Sequence, residues 1–123
     1  MIKVLVVEDN ETIRRSIKDE LLLDGFSVSE ASDGEAALAK IISDKPDIVI
    51  LDIILPKISG VDVFKKIRSI AGITETKVVI FTNLEADEKM IKEISSLNPC
   101  FYLNKSNFHL EDLPAKIEAC FAT

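Results

Sequence analysis

The chain has no tryptophan, one tyrosine, one histidine and two cysteines among its 123 residues. Cys100 and Cys120 are too few for a disulfide framework and lack the spacing of a metal site, so the expectation is two separate thiols in a reducing compartment. The lone His109 stands near an expected helix start with no Cys/Asp cluster beside it, which favours a surface structural place over a ligand or phosphodonor. No apolar run approaches the ~20 residues of a membrane span. The apolar start, Val4-Leu5-Val6-Val7, is cut off by Glu8-Asp9-Asn10, too soon for a signal-peptide core. The expected location is therefore cytoplasmic. Basic runs are also missing: 15 Lys+Arg against 21 Asp+Glu give a net charge of −6, which argues against direct nucleic-acid binding. Repeats, linkers and low-complexity stretches are absent, so residues 1–123 are expected to form one domain.

What is present is a core-forming chain. With 47% hydrophobic and 29% charged residues it is not a disordered composition, and at this length folding removes roughly two-thirds of the extended chain's surface from water. Short apolar runs at residues 2–7, 26–31, 48–51, 78–81 and 100–103 alternate with segments of helical period. Residues 4–7, 48–51 and 78–81 are apolar at every position, as in strands buried on both faces of a parallel sheet. Ile13, Ile17 and Leu21 mark a first helix ending at Gly25. Asp33 is placed to cap a second, carrying Ala37, Leu38, Ile41 and Ile42. Val63, Phe64 and Ile67 follow Gly60 in a third, and Ile91 with Ile94 mark a fourth. Leu113, Ile117 and Phe121 mark a fifth, with Pro114 in its first turn, where proline is tolerated. Five βα units predict an α/β fold with a parallel sheet and helices on both faces.

The informative polar residues stand where the strands end. The first strand runs into Glu8-Asp9, the third into Asp52, the fourth into Thr82-Asn83 and the fifth into Asn104-Lys105. In an open α/β sheet these ends share one edge, over the crevice where ligands bind. Three carboxylates gathered there repel one another, and a hard divalent cation such as Mg²⁺ relieves that repulsion. Lys105 adds a positive charge suited to a phosphoryl oxygen. Singly, each has a plainer reading: Glu8 and Asp9 as helix-opening charges, Asp52 as a turn residue, Thr82 as a strand former, Lys105 as a solvated cation. Their joint placement carries the functional reading.

In these segments the sequence resembles the receiver domain of two-component response regulators, a family that includes the single-domain chemotaxis regulator. The likeness spans the chain and rests on Val4 to Asn10, on Leu51-Asp52-Ile53-Ile54-Leu55-Pro56-Lys57-Ile58-Ser59-Gly60, on Thr82, and on Tyr102-Leu103-Asn104-Lys105. The resemblance implies a doubly wound (βα)5, flavodoxin-like three-layer sandwich with strand order 2-1-3-4-5. It implies that Asp52 accepts a phosphoryl group from the phosphohistidine of a sensor kinase or phosphotransfer protein, by carboxylate attack that forms an acyl phosphate. Glu8, Asp9, Asp52 and the Ile54 backbone carbonyl would hold Mg²⁺, and Lys105 would assist from the other side. Thr82 would donate to the phosphoryl group and Tyr102 would act as the switch, altering the face of the fourth helix, fifth strand and fifth helix where a downstream partner docks. The protein would not be an enzyme beyond assisting its own phosphorylation and dephosphorylation. A chain this short leaves no room for an output domain, so output is expected through a partner's surface.

Departures from the family pattern sharpen the expectation. Ser106 follows Lys105 where the family commonly has proline, often with a cis bond, so a trans peptide is expected here. Asn83 replaces a small residue, Ile54 and Leu84 are apolar where many relatives carry polar groups that orient water, and Leu97-Asn98-Pro99 replaces a small-residue turn. Ile54, Leu84 and Asn83 together suggest slow hydrolysis of the aspartyl phosphate. Phe64, Phe81 and Phe101 read as core, and Tyr102 has the plainer reading of a half-buried strand tyrosine. Three rivals remain in view. A phosphorylation-independent interaction scaffold is kept alive by Ser106 and Asn83. A phosphatase with an aspartyl nucleophile is disfavoured because Ile54 stands where its second aspartate belongs. A flavin carrier is disfavoured by the acidic first loop.

Overall fold

The computed structural model describes residues 1–122. Five parallel strands, β1 (Lys3–Val7), β2 (Ser27–Ala31), β3 (Ile48–Leu51), β4 (Lys77–Thr82) and β5 (Phe101–Asn104), lie in the order β2-β1-β3-β4-β5. Between and after them run α1 (Glu11–Leu23), α2 (Gly34–Asp44), α3 (Gly60–Ser69), α4 (Glu88–Ser96) and α5 (Leu113–Phe121). The expected (βα)5 order and strand order are both present. Two short 3₁₀ turns, Lys105–Asn107 and Leu110–Asp112, connect β5 to α5, where the sequence pattern announced no element.

Alternation along the strands divides the core into two layers. Leu5, Val7, Val49, Leu51, Val78 and Ile80 face α2, α3 and α4, packing on Ala37, Ile41, Val63, Phe64, Ile67 and Ile94. Val4, Val6, Ile48, Ile50, Val79 and Phe81 face α1 and α5, packing on Ile17, Leu21, Leu113 and Ile117. The three uninterrupted apolar strands are thus the three central ones, while Ser27, Ser29 and Glu30 mark β2 as an edge.

Local chemistry fixes the helix starts. Asn10, Asp33, Ser59 and Asp87 each accept, through a side-chain oxygen, the backbone N–H three residues on. Gly25 adopts φ 87° just past α1, the left-handed conformation a helix stop there requires. Helix α5 differs: it has no side-chain cap, and Pro114 sits in its first turn as expected.

The Leu97-Asn98-Pro99 turn acquires a structural reason. Asn98 takes φ 60°, and the Arg68 guanidinium gathers the carbonyls around it. It donates to Leu97 O at 2.8 Å, Asn98 O at 3.3 Å, Thr74 O at 3.1 Å and Thr76 O at 2.5 Å, so one side chain ties the α3–β4 and α4–β5 connections together. Nothing in the sequence marked Arg68 for this task.

The expectation of two separate thiols is overturned. Cys100, just before β5, and Cys120, in the last turn of α5, form a disulfide with Cα atoms 6.0 Å apart. The fold is the reason: α5 returns antiparallel to β5, so its last turn meets the start of that strand. A separation of 20 residues along the chain does not disclose that meeting.

Candidate functional site

Chain order reverses beside β1, because β2 lies on one side of it and β3 on the other. The crevice this opens is flanked by the residues after β1 and β3. Glu8 and Asp9 follow β1, and Asp52 follows β3. Thr82 is the last residue of β4, level with Asn104 at the end of β5, so Lys105 enters from the neighbouring connection. Among the described residues, Glu8, Asp52 and Thr82 are the only buried polar ones, at 2%, 5% and 0% exposure. Asp9 is exposed at the mouth.

Every oxygen of the buried Asp52 carboxylate is engaged. Its Oδ1 accepts the Thr82 hydroxyl at 2.7 Å and the Ile54 N–H at 3.1 Å. Its Oδ2 accepts the Lys105 ammonium at 2.5 Å, and the same ammonium donates to Glu8 Oε1. Glu8 Oε2 accepts the Asn10 N–H at 3.1 Å. Burial pushes the Glu8 carboxyl up; Lys105 and the Asn10 N–H pull it back only partway, and the nearby charge of Asp52 adds to the rise. Burial alone would pull the Lys105 ammonium down, but its bonds to Asp52 and Glu8 hold it above the ordinary lysine value. Lys105 is therefore a fixed cation between two buried carboxylates.

Glu8, Asp9 and Asp52 bring carboxylate oxygens within 4.8 Å of one another. A set of hard oxygen donors, partly buried and holding more negative charge than one lysine offsets, fits a small divalent cation. The Ile54 carbonyl, the fourth expected ligand, belongs to the loop whose N–H already holds Asp52.

That loop is pinned by backbone contacts. Pro56 O accepts from Ile58 N at 2.8 Å and from Gly34 N at 3.2 Å, and Gly60 N donates to Ile53 O at 2.8 Å. Lys57 takes φ 69° within it. A Cβ built on Gly60 would strike the Asp52 carbonyl oxygen and lie within 2.6 Å of the Ile53 Cα. These are backbone atoms that cannot rotate away. Gly60→Ala is therefore expected to cost about 3 kcal/mol by overpacking and to displace Asp52; urea unfolding read beside Asp52 chemistry measures both losses.

A hydrogen-bonded path leads outward from Asp52. The Thr82 hydroxyl donates to Asp52, the Leu84 N–H donates to Thr82 Oγ1 at 3.2 Å, and the Tyr102 hydroxyl donates to Leu84 O at 3.4 Å. Tyr102 is 40% exposed, on the α4 side of β5, and burial raises its phenol value, with the Asp52 charge adding. Of the residues that depart from the family pattern, Ile54, Asn83, Leu84 and Ser106 fall around the site, whereas the Leu97-Asn98-Pro99 turn lies at the other end of β5. Ile54 is 57% exposed, Leu84 is half-buried beside the Tyr102 ring, and Asn83 is exposed in a cleft with Lys105 and Phe108. The described residues contain no cis peptide, so the Lys105–Ser106 bond is trans, and the Ser106 hydroxyl bonds Asn104 Oδ1 at 2.5 Å. His109 is exposed, before the second 3₁₀ turn and apart from the site; Phe64 and Phe81 are buried in the core, with Phe101 half-buried against it.

A doubly wound sheet with an acidic crevice, a lysine and a threonine at its strand ends defines a receiver-type fold. The family model for the response regulator receiver domain matches residues 4–118, and the chain belongs to that family: it is a receiver domain of two-component response regulators. It is 33% identical over 120 residues to the response regulator MprA of Mycolicibacterium vanbaalenii, covering 96% of this chain and 49% of that protein. It is 38% identical over 103 residues to the alkaline phosphatase synthesis transcriptional regulatory protein PhoP of Bacillus subtilis, covering 76% of this chain and 43% of that one. The chain thus spans about half the length of these curated relatives. Among solved structures, the chemotaxis response regulator CheY4 of Vibrio cholerae superposes with a TM-score of 0.86 at 29% identity, covering 98% of each chain.

Proposed function

We propose that Asp52 is the phospho-acceptor of this receiver, taking a phosphoryl group from a phosphohistidine on a sensor kinase or phosphotransfer protein. The observation that carries the reading is the Asp52 carboxylate itself, buried yet gripped by Thr82, Ile54 N–H and Lys105, with Glu8 and Asp9 alongside. Attack by an Asp52 oxygen on phosphorus expels the donor imidazole and forms an acyl phosphate. Lys105 moves from Asp52 Oδ2 to a phosphoryl oxygen, and the Thr82 hydroxyl turns from Oδ1 to another. Glu8, Asp9, Asp52 and the Ile54 carbonyl would hold Mg²⁺, which when bound supplies positive charge toward the transferred group.

When the Thr82 hydroxyl turns, the Leu84 N–H bonded to its oxygen is drawn with it, and the Leu84 carbonyl beside Tyr102 shifts. This path supports Tyr102 as the switch and the face of α4, β5 and α5 as the partner surface. An apolar groove lined by Leu84, Ala86, Ile91, Ile94, Pro99 and Tyr102 already lies there. The protein acts as a signalling phospho-acceptor in the cytoplasm, assisting only its own phosphorylation and hydrolysis, and it uses no nucleic-acid contact of this domain.

Incubation with a small acyl phosphate and Mg²⁺, read by intact mass, tests the reading. One phosphoryl adduct is expected, lost when the metal is chelated. No adduct on the wild type would favour the phosphorylation-independent scaffold.

The apolar Ile54 and Leu84, together with Asn83, hinder the approach of water to the acyl phosphate, so slow hydrolysis is expected. Ile54→Asn with Leu84→Glu should shorten the adduct's lifetime roughly tenfold, equivalent to about 1.4 kcal/mol of barrier. An unchanged or longer lifetime in a decay assay rejects this explanation.

A further inference from the structure

We propose that Cys100 and Cys120 form a reversible thiol–disulfide modification site that sets how firmly α5 is held against the sheet. The pair lies at the end of the fold remote from Asp52. Cys100 precedes β5, and its N–H donates to Val78 O at 2.7 Å, which anchors it to the central sheet. Cys120 is buried at 8% exposure in the last turn of α5, and the 6.0 Å between Cα atoms lies in the range a disulfide spans without backbone movement.

Helix α5 depends on such a tie at its C-terminal end. It is nine residues long, short of the length at which an isolated helix holds itself, and no side chain caps its start. Leu113, Pro114 and Ile117 fasten its first two turns, whereas the last turn has only Cys120 buried, with Phe121 partly so. Breaking the sulfur–sulfur bond therefore releases the last turn while leaving the earlier anchors in place.

The chemistry has an entry route. Cys100 is half-buried and lines an open cleft with Arg68, Glu75, Lys77 and Pro99. The cations of Arg68 and Lys77 there outnumber the one carboxylate of Glu75, so the cleft does not repel an anionic small disulfide such as oxidised glutathione. In the reduced protein, the Cys100 thiolate attacks one sulfur of a low-molecular-weight disulfide, releasing one small thiol and leaving a mixed disulfide. The Cys120 thiolate then attacks the Cys100 sulfur and expels the second small thiol. Two cysteine thiols are oxidised by two electrons, one small disulfide is reduced, and the two protons end on the small thiols. Reduction runs the same exchange backwards.

The inference needs the reading above only for calling α5 part of the partner face, and its test does not involve phosphorylation. The full chain is equilibrated in mixtures of reduced and oxidised glutathione, quenched by alkylation and weighed intact. Hydrogen exchange of residues 113–121 is followed in the same samples. Both thiols should vanish together as the mixture becomes oxidising, with no stable glutathione adduct and no dimer. Amides in the last turn of α5 should exchange about tenfold faster in the reduced form, while α1 is unchanged. Cys100→Ser/Cys120→Ala, and separately Cys100→Ala/Cys120→Val, should match the reduced protein and ignore the glutathione ratio. Thiols that persist in excess oxidised glutathione, single-site adducts, or equal α5 exchange in both forms would each overturn the proposal. Loss of the Asp52 adduct with this response intact would remove the proposed phospho-acceptor function and leave the redox site standing.

Discussion

Asp52→Asn is expected to abolish the phosphoryl adduct while leaving the domain folded. The amide is nearly isosteric, and its oxygen still accepts the Thr82 hydroxyl and the Ile54 N–H that now meet Oδ1. What disappears is the anionic oxygen, the nucleophile the transfer needs, together with one of three carboxylates in the acidic cluster. Stability should change by no more than about 1 kcal/mol, because two effects oppose each other. The ion pair of Asp52 with Lys105 is lost, but so is the repulsion between Asp52 and Glu8, and Lys105 keeps its bond to Glu8. Intact mass after treatment with an acyl phosphate and Mg²⁺, beside a urea melt, checks both halves. An adduct that survives in a folded Asp52→Asn protein would move the acceptor elsewhere.

Lys105→Ala is expected to be the costlier change for the fold. The lysine side chain is 11% exposed and lies against the Glu8 and Asp52 side chains, at 3% and 7%. Removing it leaves two buried carboxylates facing each other without a cation, at a cost of about 3 kcal/mol at neutral pH without divalent metal. The pH dependence follows from Glu8. Burial already holds its carboxyl above the ordinary value, and loss of Lys105 removes the strongest influence pulling it down. A carboxyl that binds its proton more tightly folded than unfolded makes the folded state gain stability as pH falls. The deficit of Lys105→Ala relative to wild type should therefore shrink as pH drops from 7 to 5, and should shrink also with millimolar Mg²⁺ at pH 7. Urea midpoints under the three conditions measure this. A deficit that is constant across them would mean that Lys105 contributes packing rather than charge.

How much of this was legible beforehand varies with the range of the interaction. The central strands announced themselves because β1, β3 and β4 are buried on both faces, so every position from Val4 to Val7, Ile48 to Leu51 and Val78 to Phe81 had to be apolar. Helix caps such as Asp33 and the stop at Gly25 are settled within a few residues, and both appear where the sequence put them. Strand ends moved by a residue, which places Thr82 and Asn104 inside β4 and β5 as their last residues. Arg68 went unremarked because its carbonyl partners come from two connections, one of them about thirty residues away, and a carbonyl carries no residue-type signal.

By itself, then, the sequence determined the alternation of strands and helices and which polar residues stand at strand ends, since both follow from periodicity and local chemistry. It also determined that Glu8, Asp9, Asp52, Thr82 and Lys105 share one edge, because parallel strands joined by helices must all end on the same side. Only the tertiary structure decided that Lys105 bridges Glu8 and Asp52, that Thr82 reaches Tyr102 through Leu84, and that Cys100 meets Cys120. Each of those depends on distances of a few ångströms between segments far apart in the chain. Such distances are set by how β5 and α5 pack against the sheet, and no local pattern of residues encodes them.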